Sequence, residues 1–412
     1  MSNSTTEAIE PYRIAVSDDK LELLKTKLAQ TTFPKETDFT NNWAYGTPLD
    51  DIKRLTRTWE KDFDWRRVEA ELNDTLPQFT TKIGVTGHEY DLKIHFVHKR
   101  SERADAIPLL FVHGWPGSFL EVSKILPLLT AGGEDKDEEP AFHVVAPSLP
   151  NFGFSQGTSK PGFATPQYAE VCHKLMLRLG YERYATQGGD WGFPITRIIG
   201  SRYPAHVLGS HVNFILAQPP SVLKAPGLCL QYALGWYSAH EKAGLARTAS
   251  FRGEGQGYAR IQGSKPHTLG FGLADSPVAL LAWVYEKLRD WTDDYPWTDE
   301  EVLTWVSVYA FSVAGADASS RIYYEETHRG ASGADMGEAV RWNGGVPLGI
   351  SYFPKDVVVL PSSWGRTLGP VVYEKRHEEG GHFAAFEKPE LLVSDVRKMF
   401  GKKSGIGAKL AL

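Results

Sequence analysis

The chain has 412 residues, of which 42% are hydrophobic and 23% charged, the composition of a globular protein with room for two domains or for one core with an inserted module. Its 45 Lys and Arg residues nearly balance 50 Asp and Glu residues, and a formal charge of -5 is too small to indicate a nucleic-acid partner. The two cysteines, Cys172 and Cys229, exclude a disulfide scaffold and are typical of a reducing compartment, so we expect a cytoplasmic protein.

Residues 1–100 predict a helical meander that packs on a core. Residues 17–30 space their leucines as on one face of a helix, and residues 51–72 carry aromatic side chains at helical spacing. The chain begins with a polar stretch, and none of its apolar runs approaches the roughly 18 residues of a membrane helix. We therefore expect a soluble protein without a membrane anchor.

Strands and helices alternate after this meander. The short apolar runs at 107–115 and 141–150 end in Gly or Pro, as buried parallel strands do, and each is followed by a helical segment. Such alternation predicts an α/β fold with a mostly parallel sheet, in which sites lie at the carboxyl ends of the strands. The alternation breaks at 218–345, which we interpret as a helical cap inserted between two parts of the core, 101–217 and 346–412.

A candidate nucleophile lies in Gly188-Gly189-Asp190-Trp191-Gly192, between a predicted strand and a predicted helix. Small residues around a central polar one are typical of the strand-turn-helix elbow that holds a nucleophile above the edge of a sheet. Glycine permits the strained dihedral angles and the close approach of strand and helix that this turn requires. An aspartate is ionised at neutral pH and needs no base to attack an electrophilic carbon, so we predict that Asp190 forms an ester with the substrate.

Hydrolysis of such an ester requires a base, and His382 is the candidate. It lies in Gly380-Gly381-His382, on a glycine-rich loop before a C-terminal helix. The acid that orients the histidine is expected at the end of the preceding strand, where Asp356 lies. The order nucleophile, acid, histidine along the chain is typical of folds built around this elbow.

The loop His113-Gly114-Trp115-Pro116 directly follows a predicted strand. A loop at this place can direct backbone N–H groups at a developing oxyanion, and the residue after the nucleophile supplies a second donor. We therefore predict that the backbone amides of Trp115 and Trp191 form an oxyanion hole.

These motifs together resemble the epoxide hydrolases of the α/β-hydrolase fold, in particular the microsomal-type branch with its N-terminal meander. The matching segments, in chain order, are HGWPGSFLE (113–121), GGDWG (188–192), GYARIQGSKPHTLG (257–270), SSRIYYEE (319–326), YFPKD (352–356) and GGHFAAFEKPE (380–390). The resemblance covers nearly the whole chain and implies the α/β-hydrolase fold with an inserted helical cap. It also implies an enzyme that converts an epoxide and water to a vicinal diol through a covalent aspartyl ester. Microsomal members begin with a membrane-anchoring helix, whereas the polar start of this chain is similar to that of soluble fungal-type relatives.

The same resemblance assigns a role to two tyrosines of the cap. Members of the family present two tyrosine hydroxyls to the epoxide oxygen, and the matching positions here are Tyr258 and Tyr323. Ring opening generates a strongly basic alkoxide, which a phenol can meet as a proton donor. Tyr324 offers a second register, but the family spacing Arg-x-Tyr-x-Glu favours Tyr323. Asp356 stands where some members place Glu, and it keeps the charge.

No dinucleotide or nucleoside triphosphate motif occurs, so we expect no cofactor. We expect no metal either, because His377 and His382 lack the spacing of a helical zinc pair and the glycines between them oppose a helix. The predicted partner is a small apolar epoxide. The N-terminal segment is also long enough to reach a second subunit in a homodimer.

Two other functions stay open at this point. A haloalkane dehalogenase shares the Asp nucleophile, the His base and the Asp-Trp-Gly elbow, but it needs halide-binding donors and has no use for paired phenols. A catalytically silent receptor of the same fold would hold a small apolar ligand, but it has no need of Asp190, His382 and Asp356 together. The sequence does not reveal which epoxide is used, its stereochemistry, or whether the role is detoxification or a step in making a natural product.

Overall fold

The computed structural model describes residues 8–135, 139–220, 225–328, 334–402, 404 and 406–407. Within these ranges nine strands form one sheet. The strands are β1 Glu10–Pro11, β2 Gln78–Gly84, β3 Asp91–Lys99, β4 Ile107–Val112, β5 Phe142–Pro147, β6 Tyr184–Gly188, β7 Val207–Val212, β8 Leu348–Tyr352 and β9 Val371–Arg376.

The helices fall into three groups along the chain. Before the first long strand lie α1 Asp18–Ala29, α2 Leu49–Lys61 and α3 Trp65–Thr75. The helices between or after the strands of the sheet are α4 Ile125–Ala131, α5 Thr165–Arg178, α6 Gly192–Arg202, α15 Ser362–Gly365, α16 Ala384–Glu387 and α17 Pro389–Phe400. The segment between β7 and β8 contains α7 Pro226–Ala233, α8 Ala239–Ser250, α9 Gly257–Ser264, α10 Pro266–Asp275, α11 Pro277–Asp290, α12 Asp299–Ala310, α13 Arg321–His328 and α14 Ala334–Ala339. We call this segment the cap.

The sheet has the strand order β1-β2-β3-β5-β4-β6-β7-β8-β9. All neighbours from β5 to β9 run parallel, whereas β1, β2 and β3 join antiparallel at one edge. The predicted mostly parallel sheet is therefore confirmed. Because β4, β6, β7 and β8 are adjacent and parallel, the loops that follow them meet at one edge of the sheet.

Residues 1–100 contain more than helices. Their helical part ends at Thr75, and β2 and β3 then pair in register from Gln78 with Val97 to Gly84 with Asp91. These strands are harder to recognise than the parallel ones because charged residues such as Lys82 interrupt their apolar positions. The antiparallel pair extends the sheet at the edge beyond β5.

The helices α1, α2 and α3, which we call the N-terminal belt, are tied to both the chain before them and the cap. The buried carboxylate of Glu69 accepts hydrogen bonds from the Val16 amide, at 2.7 Å, and from the Trp65 indole, at 3.1 Å. Arg54 and Arg67 form ion pairs with Asp299 and Glu300 at the start of α12. These acidic groups also lie at a helix N-terminus, where negative charge is stabilising.

Among the described residues, no single helix has both the length and the apolar composition of a membrane-crossing segment. The sharply bent pair Pro266–Asp275 and Pro277–Asp290 meets that test when its two helices are taken together.

A buried polar network joins β8, β9 and α17 beneath the sheet edge. The Asp395 carboxylate pairs with His377 at 2.6 Å and accepts hydrogen bonds from the Ser351 hydroxyl, at 2.5 Å, and the Tyr373 hydroxyl, at 2.6 Å. His211 contacts Ser351 at 3.0 Å. Burial opposes ionisation of Asp395, but the hydrogen bonds from its partners outweigh that effect and hold its pKa below the usual range.

We predict that Asp395→Asn lowers the free energy of unfolding at pH 7 by about 2 kcal/mol, because three hydrogen bonds to a charged group lose their acceptor charge. A carboxyl whose pKa is depressed on folding stabilises the protein above its unfolded pKa and loses that contribution as pH falls through its folded pKa. The difference between variant and parent should therefore shrink in acid. Urea denaturation at several pH values measures it, and Asp74→Asn, at an exposed ion pair, is the control. Equal stability of Asp395→Asn and the parent at pH 7 would contradict this account.

Candidate active site

Asp190 stands at the turn between β6 and α6 with a φ of 48°, in the left-handed region that non-glycine residues rarely adopt. The glycines around it are needed for space. A Cβ on Gly188 would stand 2.5 Å from the Gly192 carbonyl oxygen, and one on Gly192 would stand 2.0 Å from the Val112 oxygen. The strand, the helix and the neighbouring strand β4 therefore approach as closely as the backbone allows, and this packing holds Asp190 at the bend.

The three residues predicted to act together converge at the carboxyl ends of β6, β8 and β9. His382 Nε2 lies 3.4 Å from Asp190 Oδ2, and His382 Nδ1 lies 2.6 Å from Asp356 Oδ1. The Val357 amide also donates to Asp356 Oδ1, at 2.6 Å, and the His382 amide donates to the Trp291 carbonyl, at 2.8 Å. Both side chains of the His382–Asp356 pair are almost fully buried, with 3% and 2% of their surface exposed, so the imidazole has one orientation.

The charge state of His382 follows from its two carboxylate neighbours. Burial disfavours the imidazolium, but the carboxylates of Asp356 and Asp190 outweigh that effect and raise the pKa of His382 to about 10. At neutral pH the free protein therefore carries an imidazolium between two carboxylates. Loss of either negative charge would make this proton easier to release.

The loop after β4 brings one of the two predicted amide donors to the nucleophile. The Trp115 N–H donates to Asp190 Oδ1 at 2.8 Å. Within the described residues the Trp191 amide makes no hydrogen bond to that carboxylate, so in this state only its ring, which contacts Tyr323, takes part in the site. A tetrahedral adduct places its oxygen differently from a planar carboxylate, and the role of Trp191 stays a prediction.

Contacts that the sequence analysis did not foresee fix the shape of this loop. His113 donates from Nδ1 to the Gly114 carbonyl, at 3.0 Å, and its Nε2 accepts from the Leu149 amide, at 3.2 Å. Burial lowers the pKa of His113 to about 4, which keeps it neutral in this tautomer. From the cap helix α12, the Trp305 indole donates to the Pro116 carbonyl at 2.5 Å and the Tyr309 hydroxyl to the Gly117 carbonyl at 2.6 Å.

The two predicted cap tyrosines lie side by side over the loop and the elbow. The rings of Tyr258 and Tyr323 are 5.8 Å apart and nearly perpendicular, at 81°. Tyr258 stacks on the indole of Trp115, at 4.9 Å and 11°, and Tyr323 meets the edge of Trp191, at 4.9 Å and 88°. Tyr324 instead points outward, where it is 37% exposed and stacks on His328 at 4.0 Å.

Both inward tyrosines are neutral hydrogen-bond donors. Burial first, together with the nearby Asp190 carboxylate, raises the pKa of each phenol above its ordinary value. The Tyr323 hydroxyl is buried beside the Trp191 and Tyr258 side chains, and neither of them is aligned as a full hydrogen-bond partner. A buried donor without a partner is costly, and such groups at a pocket are candidates for contact with a substrate.

Comparison with known proteins decides the family. The model for the epoxide hydrolase N terminus matches residues 9–122, and the model for the alpha/beta hydrolase fold matches residues 107–225. A putative epoxide hydrolase of Stigmatella aurantiaca is 37% identical over 95% of this chain and 84% of its own length. The chain belongs to the epoxide hydrolase family. Epoxide hydrolase 1 of Sus scrofa is 34% identical over 96% of this chain and 89% of its own length.

Solved epoxide hydrolases share the whole architecture. The Aspergillus niger epoxide hydrolase is 34% identical, with a TM-score of 0.78, over 94% of this chain and 95% of that one. The juvenile hormone epoxide hydrolase of Bombyx mori is 29% identical, with a TM-score of 0.82, over 96% of this chain and 95% of that one. The predicted α/β-hydrolase fold is confirmed. A haloalkane dehalogenase of Bradyrhizobium elkani, at 18% identity and a TM-score of 0.51 over 81% of this chain and 99% of that one, shares the fold alone.

Aromatic side chains around His382 complete the site of this epoxide hydrolase family member. The Trp291 ring meets the edge of the His382 imidazole at 5.0 Å and lies 5.2 Å from Tyr258, while Phe214 contacts His382 at 5.8 Å. Trp291 is one of several aromatic residues of the cap, and no sequence pattern distinguishes it from the others. Trp236, another of them, is 65% exposed and lies away from the site.

We predict that Gly192→Ala disrupts the elbow, because its Cβ would stand 2.0 Å from the Val112 oxygen, which is backbone and has no room to move. The variant should lose more than about 2 kcal/mol of unfolding free energy. Gly227→Ala is the matched control, since a Cβ there meets nothing within 4 Å. Thermal denaturation of both variants tests the prediction, and a Gly192→Ala protein as stable as the control would refute it.

Proposed function

We propose that the protein converts an epoxide and water to a vicinal diol through an ester on Asp190. One arrangement supports this proposal above all. A carboxylate at a strained bend faces a buried imidazole at 3.4 Å, and two protonated phenols stand over the same loop. The carboxylate attacks a ring carbon, the phenols donate hydrogen bonds to the leaving oxygen, and the imidazole acts as the base in the hydrolysis of the ester.

In the first step Asp190 Oδ2 attacks a ring carbon of the epoxide. Oδ1 is held by the Trp115 amide at 2.8 Å, so Oδ2 is the oxygen free to form the new bond. The C–O bond of the ring breaks, and its electron pair stays on the oxygen. Tyr258 and Tyr323 donate to that oxygen, which becomes the first hydroxyl of the diol.

In the second step His382 acts as a base. Ester formation removes the negative charge of Asp190, one of the two charges that raise the pKa of His382, so the imidazole gives up its proton. The proton released balances the one taken up by the alkoxide. Neutral His382 then accepts a proton from water as the water oxygen attacks the ester carbonyl. Asp356 stabilises the imidazolium that results, and the Trp115 amide receives the oxyanion on Oδ1.

We predict that His382→Gln forms the ester but does not hydrolyse it, because glutamine cannot accept the proton from water. Intact-mass measurement after incubation with styrene oxide should show the chain heavier by one substrate. The double variant Asp190→Ala/His382→Gln is the control and should stay at its original mass. No mass increase in the single variant would remove the covalent route.

Oxygen-18 water gives the parent protein a second readout of the same step. In a single turnover the diol should carry unlabelled oxygen, because its new oxygen comes from the Asp190 carboxylate and the label enters that carboxylate instead. Oxygen-18 in the diol of the first turnover would mean direct hydration of the epoxide.

Chloride release from a haloalkane, without formation of diol from styrene oxide, would favour the dehalogenase alternative. Tight binding of a ligand with slow turnover would favour the receptor alternative.

The outward Tyr324 provides a matched control for the proposed donor next to it. We predict that Tyr323→Phe slows ester formation roughly a hundredfold, the cost typical of removing one preorganised donor. Tyr324→Phe should leave that rate within about twofold, because its side chain stacks on His328 at the surface. Rapid-quench measurement of ester formation in the His382→Gln background isolates this step. If Tyr324→Phe slows ester formation and Tyr323→Phe does not, Tyr324 is the donor in place of Tyr323.

Three further parts of the proposal concern substrate, assembly and location. The aromatic wall of Trp115, Trp291 and Phe214 supports a small apolar epoxide as the substrate. Exposed apolar residues in and just after α7, among them Leu230 and Trp236, support a homodimer, which the native mass in solution would test. Both cysteines are free, in keeping with a reducing compartment such as the cytoplasm.

A further inference from the structure

A second carboxyl group lies beside the nucleophile and has no part in the mechanism above. Glu121 belongs to the short 3-10 helix Phe119–Val122 that follows the Trp115 loop. Its side chain folds back over that loop, since a Cβ on Gly117 would stand 1.8 Å from Glu121 Oε1. The glycine at position 117 thus makes room for the carboxyl group.

Glu121 lines a small cavity together with the reacting groups. The cavity has a volume of about 10 Å³ and is bounded by the polar side chains of Glu121, Asn213, Asp190 and His382, with Phe383 closing one side. A space of this size is the smallest that takes one water molecule, and a buried water needs two to four polar partners. These four side chains supply them.

Asn213 is itself oriented within the wall of this cavity. Its Oδ1 accepts a hydrogen bond from Gln187 Nε2 at 2.7 Å, which fixes the amide so that Nδ2 is the group left to donate. A Cβ on Gly189 would stand 2.8 Å from Asn213 Oδ1, so the glycine before the nucleophile lets the amide approach. One water molecule in the cavity can accept a hydrogen bond from Asn213 Nδ2 and donate one to a side-chain oxygen of Glu121.

We propose that Glu121 is a positioning residue that holds the hydrolytic water in this cavity. This role rests on the proposed ester mechanism, in which water is the second substrate. The side-chain carbonyl oxygen of Glu121 accepts one O–H of the water, and His382 Nε2 faces the other. One lone pair of the water oxygen is thereby directed at the carbonyl carbon of the Asp190 ester.

The hydrolysis step then balances as follows. The water oxygen bonds to the ester carbon, and one O–H bond breaks as its proton passes to His382. The tetrahedral adduct loses the diol oxygen, which takes that proton and leaves as the second hydroxyl. The carboxylic acid left on Asp190 gives its proton to His382, which restores the carboxylate and the imidazolium of the free protein. Glu121 neither gains nor loses a proton in these steps.

Glu121 takes this role as the neutral acid at pH 7. Burial is the largest influence on its pKa, His382 lowers it and Asp190 raises it, and the net effect raises the pKa of Glu121 to about 8. The titratable groups that face it are His382 and Asp190 from the core and Tyr309 from α12. In alkaline solution an ionised Glu121 would stand beside the developing oxyanion and slow the hydrolysis.

The test separates ester formation from ester hydrolysis in single turnovers with styrene oxide, followed by intact mass. We expect Glu121→Leu to hydrolyse the ester on the order of tenfold more slowly, the effect of one lost hydrogen bond, with ester formation within about twofold of the parent. Glu121→Gln keeps a carbonyl oxygen and should hydrolyse the ester at nearly the parent rate at pH 7. In the parent the hydrolysis rate should fall in alkaline solution as Glu121 ionises, and in Glu121→Gln this fall should be absent.

Three further variants serve as controls. Gly117→Ala should displace the Glu121 carboxyl and slow hydrolysis selectively, and Gly117→Ala/Glu121→Leu should be no slower than either single variant. Glu69→Gln removes a buried carboxylate of the N-terminal belt and should change neither rate.

Parent-like hydrolysis in Glu121→Leu, or an alkaline limb that persists in Glu121→Gln, overturns the positioning role and leaves the ester mechanism intact. If Glu121→Leu fails to fold, the pH profile of Glu121→Gln decides alone. Absence of any ester in the His382→Gln variant removes the proposed mechanism itself.

Discussion

The imidazole of His382 lies between two carboxylates, at 2.6 Å from Asp356 and 3.4 Å from Asp190, and it is almost fully buried. In such surroundings a single ionic charge is costly, whereas a cation shared by two anions is stable. The chemistry proposed for the site is a consequence of this balance. In the proposed reaction the Asp190 carboxylate becomes an ester, and one of the two negative charges beside the imidazolium is lost. The pKa of His382 then falls, and the imidazolium releases its proton. In this reaction His382 therefore loses its proton, and can act as a base, only after the first bond to substrate has formed.

The Trp115 loop connects this charge system to the cap. The amide of Trp115 holds Asp190, its indole stacks on Tyr258, and the two carbonyls that follow it are bound by Trp305 and Tyr309 of α12. A shift of α12 would therefore move the amide donor as well as the tyrosine packed on it. Two of the proposed donors, the Trp115 amide and Tyr258, are thus positioned by one piece of backbone.

The residues of the site whose roles depend on local chemistry can be predicted from the sequence. Asp190 was recognisable because a glycine-flanked polar residue between strand and helix has few other uses, and His382 and Asp356 followed from the order of residues in such a fold. Tyr258 and Tyr323 came only from family resemblance, since a tyrosine on a helix has no local pattern that separates a donor from a core residue. Their positions in the structure agree with that assignment, and their roles stay predictions.

Long-range contacts account for what the sequence could not reveal. Trp305 reaches Pro116 across 189 positions of the chain, and Tyr309 reaches Gly117 across 192. No periodicity encodes such pairs. The strands β2 and β3 lie within the segment predicted as a helical meander, although the alternation of Leu92, Ile94 and Phe96 with polar residues in β3 is itself typical of a half-buried strand. The proximity of Glu121 to Asp190 depends on how the loop folds back, which its letters do not specify.

The N-terminal belt contacts one part of the cap more closely than another. Its helices pack on α11 and α12 and form ion pairs with α12, whereas α9 contacts chiefly α10 and α13. Tyr258 in α9 stacks on Trp115 of the core, and Phe251–Gly255 leads into α9 as a π-helical turn with two glycines. The neighbours of α9 are held as well, because Asp275 of α10 pairs with Lys27 of the belt and Glu326 of α13 accepts a hydrogen bond from the Thr165 hydroxyl of the core. A substitution in the belt would therefore act on the Trp115 loop directly through α12 and on Tyr258 indirectly through α10.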